Sequence, residues 1–179
     1  MTRTAEPAET ARPGEPAEPS TYTRLIDLLD RSGCRYRMIH HAAEGRTDVA
    51  SVLRGHPLQQ AAKCLVLQVR TPGRGTRHAL AVVPGDLRVD VDAVRDLLGG
   101  TRAGFASLER AERLTGCRSG SIVPFAFHPD LELIVDPELL ESPRLYFNAA
   151  RLDRSVALDT GDYFDLARPR IEPVAERPA

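Results

Sequence analysis

Tryptophan is absent from the 179 residues, lysine occurs once, methionine twice and cysteine three times, and aromatic side chains supply only 5% of the chain. Each scarcity excludes something. Cys34, Cys64 and Cys117 are too few and too scattered for a disulfide framework or a zinc site, and they read as thiols of a reducing compartment. No apolar run approaches the roughly 18 residues that a membrane-spanning helix needs. The first residues lack the apolar core of a secretion signal. A cytoplasmic chain without membrane contact is expected. Charge of one sign is missing too. A net charge of −1 and a pI near 6.5 exclude a strongly basic nucleic-acid binder that works by phosphate neutralisation alone, DNA binders of that kind included. No dinucleotide fingerprint, phosphate-binding loop or nucleophile elbow is present, and Ser119-Gly120-Ser121 lacks the Gly-x-Ser-x-Gly spacing. His40-His41 does not have metal-ligand spacing on one face and reads as a strand end. No cofactor and no metal are expected.

What is present is enough for one domain with an aliphatic core, since 42% of the residues are hydrophobic. Residues 1–20 carry Pro, Ala, Thr and Glu without apolar periodicity, and read as a disordered tail that cannot offset its ordering entropy. Residues 168–179, punctuated by Pro169, Pro173 and Pro178, read as a second loose end. The folded body is expected over 21–167. Its pattern alternates. Helices are expected at Tyr22–Ser32, after Thr47 as a cap, at Asp90–Leu98, from the Ser107 cap to Leu114, and after Thr160 as a cap. Strands are expected at Arg35–His40, Lys63–Arg70, His78–Pro84, Leu131–Val135, Leu145–Asn148 and Ser155–Leu158, with Pro72-Gly73 and Gly75 closing a hairpin. The fold class is therefore α/β (α+β), a mixed, curved β-sheet surrounded by helices.

Three features carry candidate chemistry. Of the 24 basic residues 23 are arginine, and Lys63 alone is lysine. A GC-rich codon usage explains a general scarcity but not the one position kept, where a compact point charge would differ from a planar fork. At the head of an apolar strand its ammonium can enter a cleft, with Cys64 on the opposite face; the plain alternative is a surface lysine. Cys64 itself reads as a buried small apolar residue. The segment Gly116–Pro124 is the second feature. Gly120 permits close backbone approach, Pro124 fixes the far end, and successive free N–H groups can hold an oxyanion; the alternative is an ordinary glycine-rich connection. The third is Phe147-Asn148-Ala149-Ala150, where Asn148 can donate and accept toward a polar ligand or simply serve a turn. His128 is either a polar pocket residue or a structural neighbour of Pro129.

The ordered runs AAKCLVL, AVVPGDLRVDVDAV, AERLTGCRSGSIVPFAFHP, LELIVDPELL and YFNAARLDRSVALDTGDYF resemble the YbaK/YeaK family over Tyr22 to Leu166. These are free-standing relatives of the editing domain of bacterial prolyl-tRNA synthetases. The motifs LTGC, PFAFHP and FNA-x-x-x-D-x-S are most similar to the YeaK-like branch. The resemblance implies a trans-editing deacylase of mischarged aminoacyl-tRNA, with a small amino acid such as Ser, Thr or Ala as substrate. It implies that Lys63 is the functional lysine near the ester and terminal adenosine. It also implies that Gly120, Ser121 and Ile122 offer amides to the carbonyl, within a Gly-x-x-x-Pro loop completed by Val123 and Pro124. Asn148, with His128 and Asp153, falls in the substrate-binding set. Relatives often read Asn-Ala-Gly where this chain has Asn148-Ala149-Ala150, so the added methyl bears on the pocket.

With no activated nucleophile in view, the expected mechanism orients water, stabilises the oxyanion and borrows the ribose 2′-OH as a proton carrier. The expected partner is the 3′ CCA end of aminoacyl-tRNA, and an aminoacyl-tRNA synthetase is a candidate partner. Contact confined to a single-stranded end implies modest affinity and a shallow salt slope. Lys63→Ala is expected to abolish deacylation with the fold retained. Two rivals are a binding module that protects the ester and a repurposed acyl-transfer or cyclisation enzyme of specialised metabolism.

Overall fold

A computed structural model describes residues 19–177. The expected N-terminal tail lies outside the described residues up to position 18. Ser20 already belongs to the body, because its hydroxyl accepts the Thr23 N–H (3.2 Å) and starts helix α1, Thr21–Ser32. Leu25 and Leu29 repeat at helical spacing, so both are buried, and Gly33 closes the helix in the left-handed conformation.

Strand β1 (Tyr36–His40) follows, then α2 (Thr47–Arg54), β2 (Ala62–Thr71), β3 (Gly75–Pro84), α3 (Val91–Leu97), β4 (Arg102–Phe105) and α4 (Leu108–Thr115). The second half runs β5 (Leu131–Val135), β6 (Arg144–Arg151), β7 (Arg154–Asp159), α5 (Thr160–Ala167) and β8 (Arg170–Ile171). Two expected caps are displaced by one residue. Thr47 is the first residue of α2, whose cap position is Arg46 with no side-chain bond. At α5, Asp159 accepts the Asp162 N–H (3.3 Å), and Thr160 lies inside the helix. Strand β4 escapes the sequence pattern, since four residues with a central glycine carry too little alternation to register.

The expected mixed sheet is present as a five-stranded sheet in the order β4-β2-β3-β5-β8, antiparallel through β4-β2-β3 and parallel through β3-β5-β8. A separate antiparallel sheet, β1-β7-β6, meets it at a single bridge between Ala61 and Tyr146. Both faces of the larger sheet are covered, which is why β2 and β3 read as near-continuous apolar runs. Alternation along β2 sends Ala62, Cys64 and Val66 into one core with α1 and the smaller sheet. Leu65, Leu67 and Val69 enter a second core with α3.

The C-terminal segment is not loose. β8 pairs in parallel with β5, Val174 and Ala175 are buried in the second core, and Asp90 N–H donates to the Val174 carbonyl (2.7 Å). Buried Asp136 accepts the N–H groups of Val174 and Ala175 (both 2.8 Å) and is paired with Arg177 (3.2 Å). The prolines limit helix and sheet length here, but two apolar residues and one buried carboxylate are sufficient to fasten the strand.

Candidate active site

A cavity of about 450 Å³ opens where the two sheets diverge, within the size range of small-molecule sites. One wall is the start of β2. The Val66 carbonyl accepts Ala106 N–H (2.9 Å) on the β4 side, and alternation turns the N–H and C=O of Cys64 the same way, beyond the end of β4. That short stretch of open strand edge faces the cavity. Phe105 and Leu108, both exposed, stand at its mouth.

The opposite wall is made of two loops, residues 41–46 and 118–124, packed glycine against glycine. A Cβ placed on Gly120 would lie 2.7 Å from the Gly45 Cα, and Gly120 has φ +84°, so no other residue fits without strain. Asn148 on β6 clamps the pair. Its side-chain Nδ2 donates to the carbonyls of Glu44 (2.9 Å) and Gly120 (2.7 Å). Its Oδ1 accepts from Arg54 at the end of α2. Arg54 Nε in turn donates to the Ser155 hydroxyl (2.8 Å), which is fully buried.

His41 completes the chain. Its Nδ1 lies 2.8 Å from the Ala42 carbonyl, which can only accept, so Nδ1 carries a proton. Its Nε2 lies 2.7 Å from the Ser155 hydroxyl, which donates its own proton to Asn148 Oδ1 (2.9 Å). A continuous path of hydrogen bonds thus runs from Ala42 through His41, Ser155, Arg54 and Asn148 to the Gly120 carbonyl. Burial without a carboxylate partner pushes the Arg54 guanidinium down to about 10. Beside it, the His56 ring stacks on Tyr146 at 3.8 Å between centroids, and burial first, with Arg54 adding to it, holds its imidazole near 4.

The structure brings Lys63, Gly120, Ile122 and Asn148 to this one cavity. Lys63 contributes to the wall, but its ammonium is engaged by the carbonyls of Gly85 (3.1 Å) and Leu87, between β3 and α3. Burial lowers its pKa. Ser121 is different from the expectation. It is buried, and both its N–H and its hydroxyl bond the Arg118 carbonyl (2.9 Å each), so its amide is taken by the turn that shapes the loop. The N–H groups of Gly120 and Ile122 have no partner among the described residues. Val123 and Pro124 lie behind the cavity as anchors: Val123 is buried in the core, and the Pro124 carbonyl accepts the Tyr163 hydroxyl (2.8 Å).

His128 and Asp153 are not in the cavity wall. The His128 ring accepts Asp130 N–H (3.1 Å), and Asp153 is paired with Arg151 through both oxygens (2.9 and 3.0 Å), which holds its carboxyl near 2. Asp153 acts instead through its carbonyl, which accepts His41 N–H (3.2 Å) and seats the 41–46 loop. Burial pushes the Cys64 thiol up, which removes it as a nucleophile. Sequence reasoning missed Arg54, His41, Ser155 and Gly45. An arginine in the last turn of a helix is ordinary dipole chemistry, and nothing local distinguishes it.

Comparison with known proteins supplies the family. The aminoacyl-tRNA editing domain matches residues 40–166. The chain belongs to that family. Two Escherichia coli proteins, from strain K12 and from O157:H7, both named multifunctional Ser/Thr-tRNA deacylase ProXp-y, are 41% identical over 152 residues, covering 84% of this chain and 90% of theirs. Among solved structures, one described as a candidate trans-editing enzyme for prolyl-tRNA synthetase superposes with a TM-score of 0.73 at 21% identity, over 88% of this chain and 98% of that one. A second, of a protein described only as hypothetical, reaches 0.76 at 21% identity, over 86% of this chain and 99% of the other. Those two likenesses concern the fold. Among the described residues no helix is long and apolar enough to cross a membrane.

Proposed function

We propose that this protein hydrolyses the ester joining a small amino acid, serine or threonine first, to the 3′ end of a mischarged tRNA. The observation that carries the reading is the meeting of Gly120, Ile122, Asn148 and Lys63 at one cavity in a chain of the editing-domain family. The cavity wall is otherwise rich in small side chains, Ala50, Ala61, Ala62, Ala106 and Ala111. That lining suits a short amino-acid side chain.

The ester enters with its carbonyl toward the N–H groups of Gly120 and Ile122. Asn148 holds the Gly120 carbonyl and so fixes the direction of the loop backbone. No side chain here is an activated nucleophile, so water is the attacking group. The enzyme contributes orientation and preformed donors for the charge that develops on oxygen. Lys63 keeps one N–H beyond its two carbonyls and adds positive charge at the wall. The ribose 2′-OH relays the proton. The CCA end is the point of contact, a synthetase is the source of the mischarged substrate and a candidate partner, and the cytoplasm is the compartment.

The test is a panel of tRNAs charged with Ser, Thr, Ala or Cys, scored for ester loss with the product identified by mass spectrometry. Free amino acid and intact tRNA are expected, fastest for seryl- or threonyl-tRNA. An ester protected by the protein, or an acyl group recovered on another acceptor, would replace this reading with a binding or transfer function.

A further inference from the structure

Two cations border the cavity, and they are held in opposite ways. The Lys63 ammonium is engaged by two main-chain carbonyls. Arg54 lines the cavity with no carboxylate within ion-pair distance among the described residues, whereas Arg77, Arg95, Arg151 and Arg177 each sit on one. Its Nε and one terminal nitrogen are held by neutral acceptors, Ser155 and Asn148, and its other terminal nitrogen has no partner among the described residues. Both acceptors are themselves locked, Ser155 by His41 and Asn148 by the two loop carbonyls. A half-buried guanidinium without a counter-charge is costly for a fold to keep. The protein nevertheless orients it with two side chains, Ser155 and Asn148, beside this cavity.

We infer that Arg54 is a catalytic residue, the positive charge that stabilises the oxyanion formed when water adds to the aminoacyl ester. This rests on the hydrolase reading above. Water oxygen bonds to the ester carbon and the carbonyl π pair moves onto oxygen, creating a negative charge that faces Arg54 and the N–H groups of Gly120 and Ile122. The proton released by water passes through the ribose 2′-OH to the 3′ oxygen as the carbon–oxygen bond breaks, leaving free amino acid and a tRNA with both hydroxyls. The charge develops only along this path, so Arg54 acts on the transition state more than on the bound ester. The substrate α-ammonium is repelled by Arg54 and turns to the opposite wall, where the Cys64 carbonyl lies on the open edge of β2. One cation and one strand edge together set the direction in which the amino acid lies.

The test uses the full-length protein and whichever charged tRNA the panel shows to be cleaved. Arg54→Ala should lower kcat by about 10²–10³-fold with KM nearly unchanged, as for loss of one oxyanion donor. Guanidinium ion at tens of millimolar should restore at least a tenfold gain, saturably, while urea, of the same shape but neutral, should restore none. Equal rescue by urea, or a rate within threefold of wild type, would overturn the inference. If Arg54→Ala fails to fold, Arg54→Gln keeps donors without charge and is checked by circular dichroism; it should be as slow, and a wild-type rate would overturn the inference equally. An unmodified protein inactive on every charged tRNA would remove the hydrolase reading and this inference with it. An active one with indifferent Arg54 variants would remove only the inference.

Discussion

Lys63 and Arg54 stand on two sides of the same hollow, and the fold treats them as different instruments. Lys63 sits on a strand between two packed cores, and its ammonium ties the turn between β3 and α3 back onto β2. Arg54 sits at the end of a short helix and is tied to β6 and β7 through neutral groups. One cation fastens backbone to backbone; the other is held still with its charge unspent. A rare residue type marks a position the chain needs, while the geometry decides what that position does. Lys63 stands out by composition, and Arg54 is one of 23 arginines.

The contrast breaks most completely if the loop that Arg54 and Asn148 organise is displaced. Gly120→Val puts a branched side chain at φ +84° against the Gly45 backbone and should reduce deacylation at least a hundredfold in single-turnover assays. Gly45→Ala, whose new Cβ would lie 3.4 Å from the Gly120 Cα and from Leu152, should cost only a few-fold. Equal losses would mean that the two glycines serve packing alone. Next in size, Lys63→Ala should lose activity together with stability, on the order of 1–3 kcal/mol for two abandoned carbonyls, read as a lower Tm. Arg54→Gln should lose activity at an unchanged Tm. A Lys63 variant with full stability and no activity would return the ammonium to the reacting atoms.

A smaller effect concerns acid. The His56 imidazole is pushed down to about 4 from its ordinary 6.5, so between those values the unfolded chain binds the proton that the folded chain refuses. Stability therefore falls as pH drops through that window. His56→Phe, which keeps a ring on Tyr146, should flatten the dependence of Tm on pH between 7 and 4. The smallest effect is at Ala150. It has φ +58° within an irregularity of β6. Ala150→Gly should relieve about 1 kcal/mol of backbone strain, less what the freer unfolded chain gains, and raise Tm by a few degrees at most. A lower Tm would mean that the methyl packs more than it strains.

Much of this architecture is written locally. Ser107 and Gly116 bracket α4 as a cap and a left-handed stop, and β2 and β3 are two apolar runs joined by a glycine turn, the pattern of a hairpin. The loop around Gly120 and the positions of Lys63 and Asn148 are legible from motif order. The site's polar chain is not, because its bonds join residues 94, 101 and 114 positions apart, and no local pattern reports such a contact. Ser121 illustrates a second limit: a loop of N–H groups looks uniform in sequence, yet one amide is consumed by the turn itself. The C-terminal strand was hidden by its prolines, since the buried anchor is Asp136, nearly forty residues earlier.

On the proposed function, an aminoacyl ester docks between the paired glycine loops and the open edge of β2. NMR titration with a non-hydrolysable analogue, a seryl group joined through an amide to the 3′ position of adenosine, addresses it directly. The backbone N–H signals of Gly120 and Ile122, the Cys64 amide and the Arg54 side-chain Nε–H should shift together and saturate together. Shifts confined to the separate groove lined by Gln68, Arg77, His78 and Glu132, with these four signals silent, would overturn that docking mode.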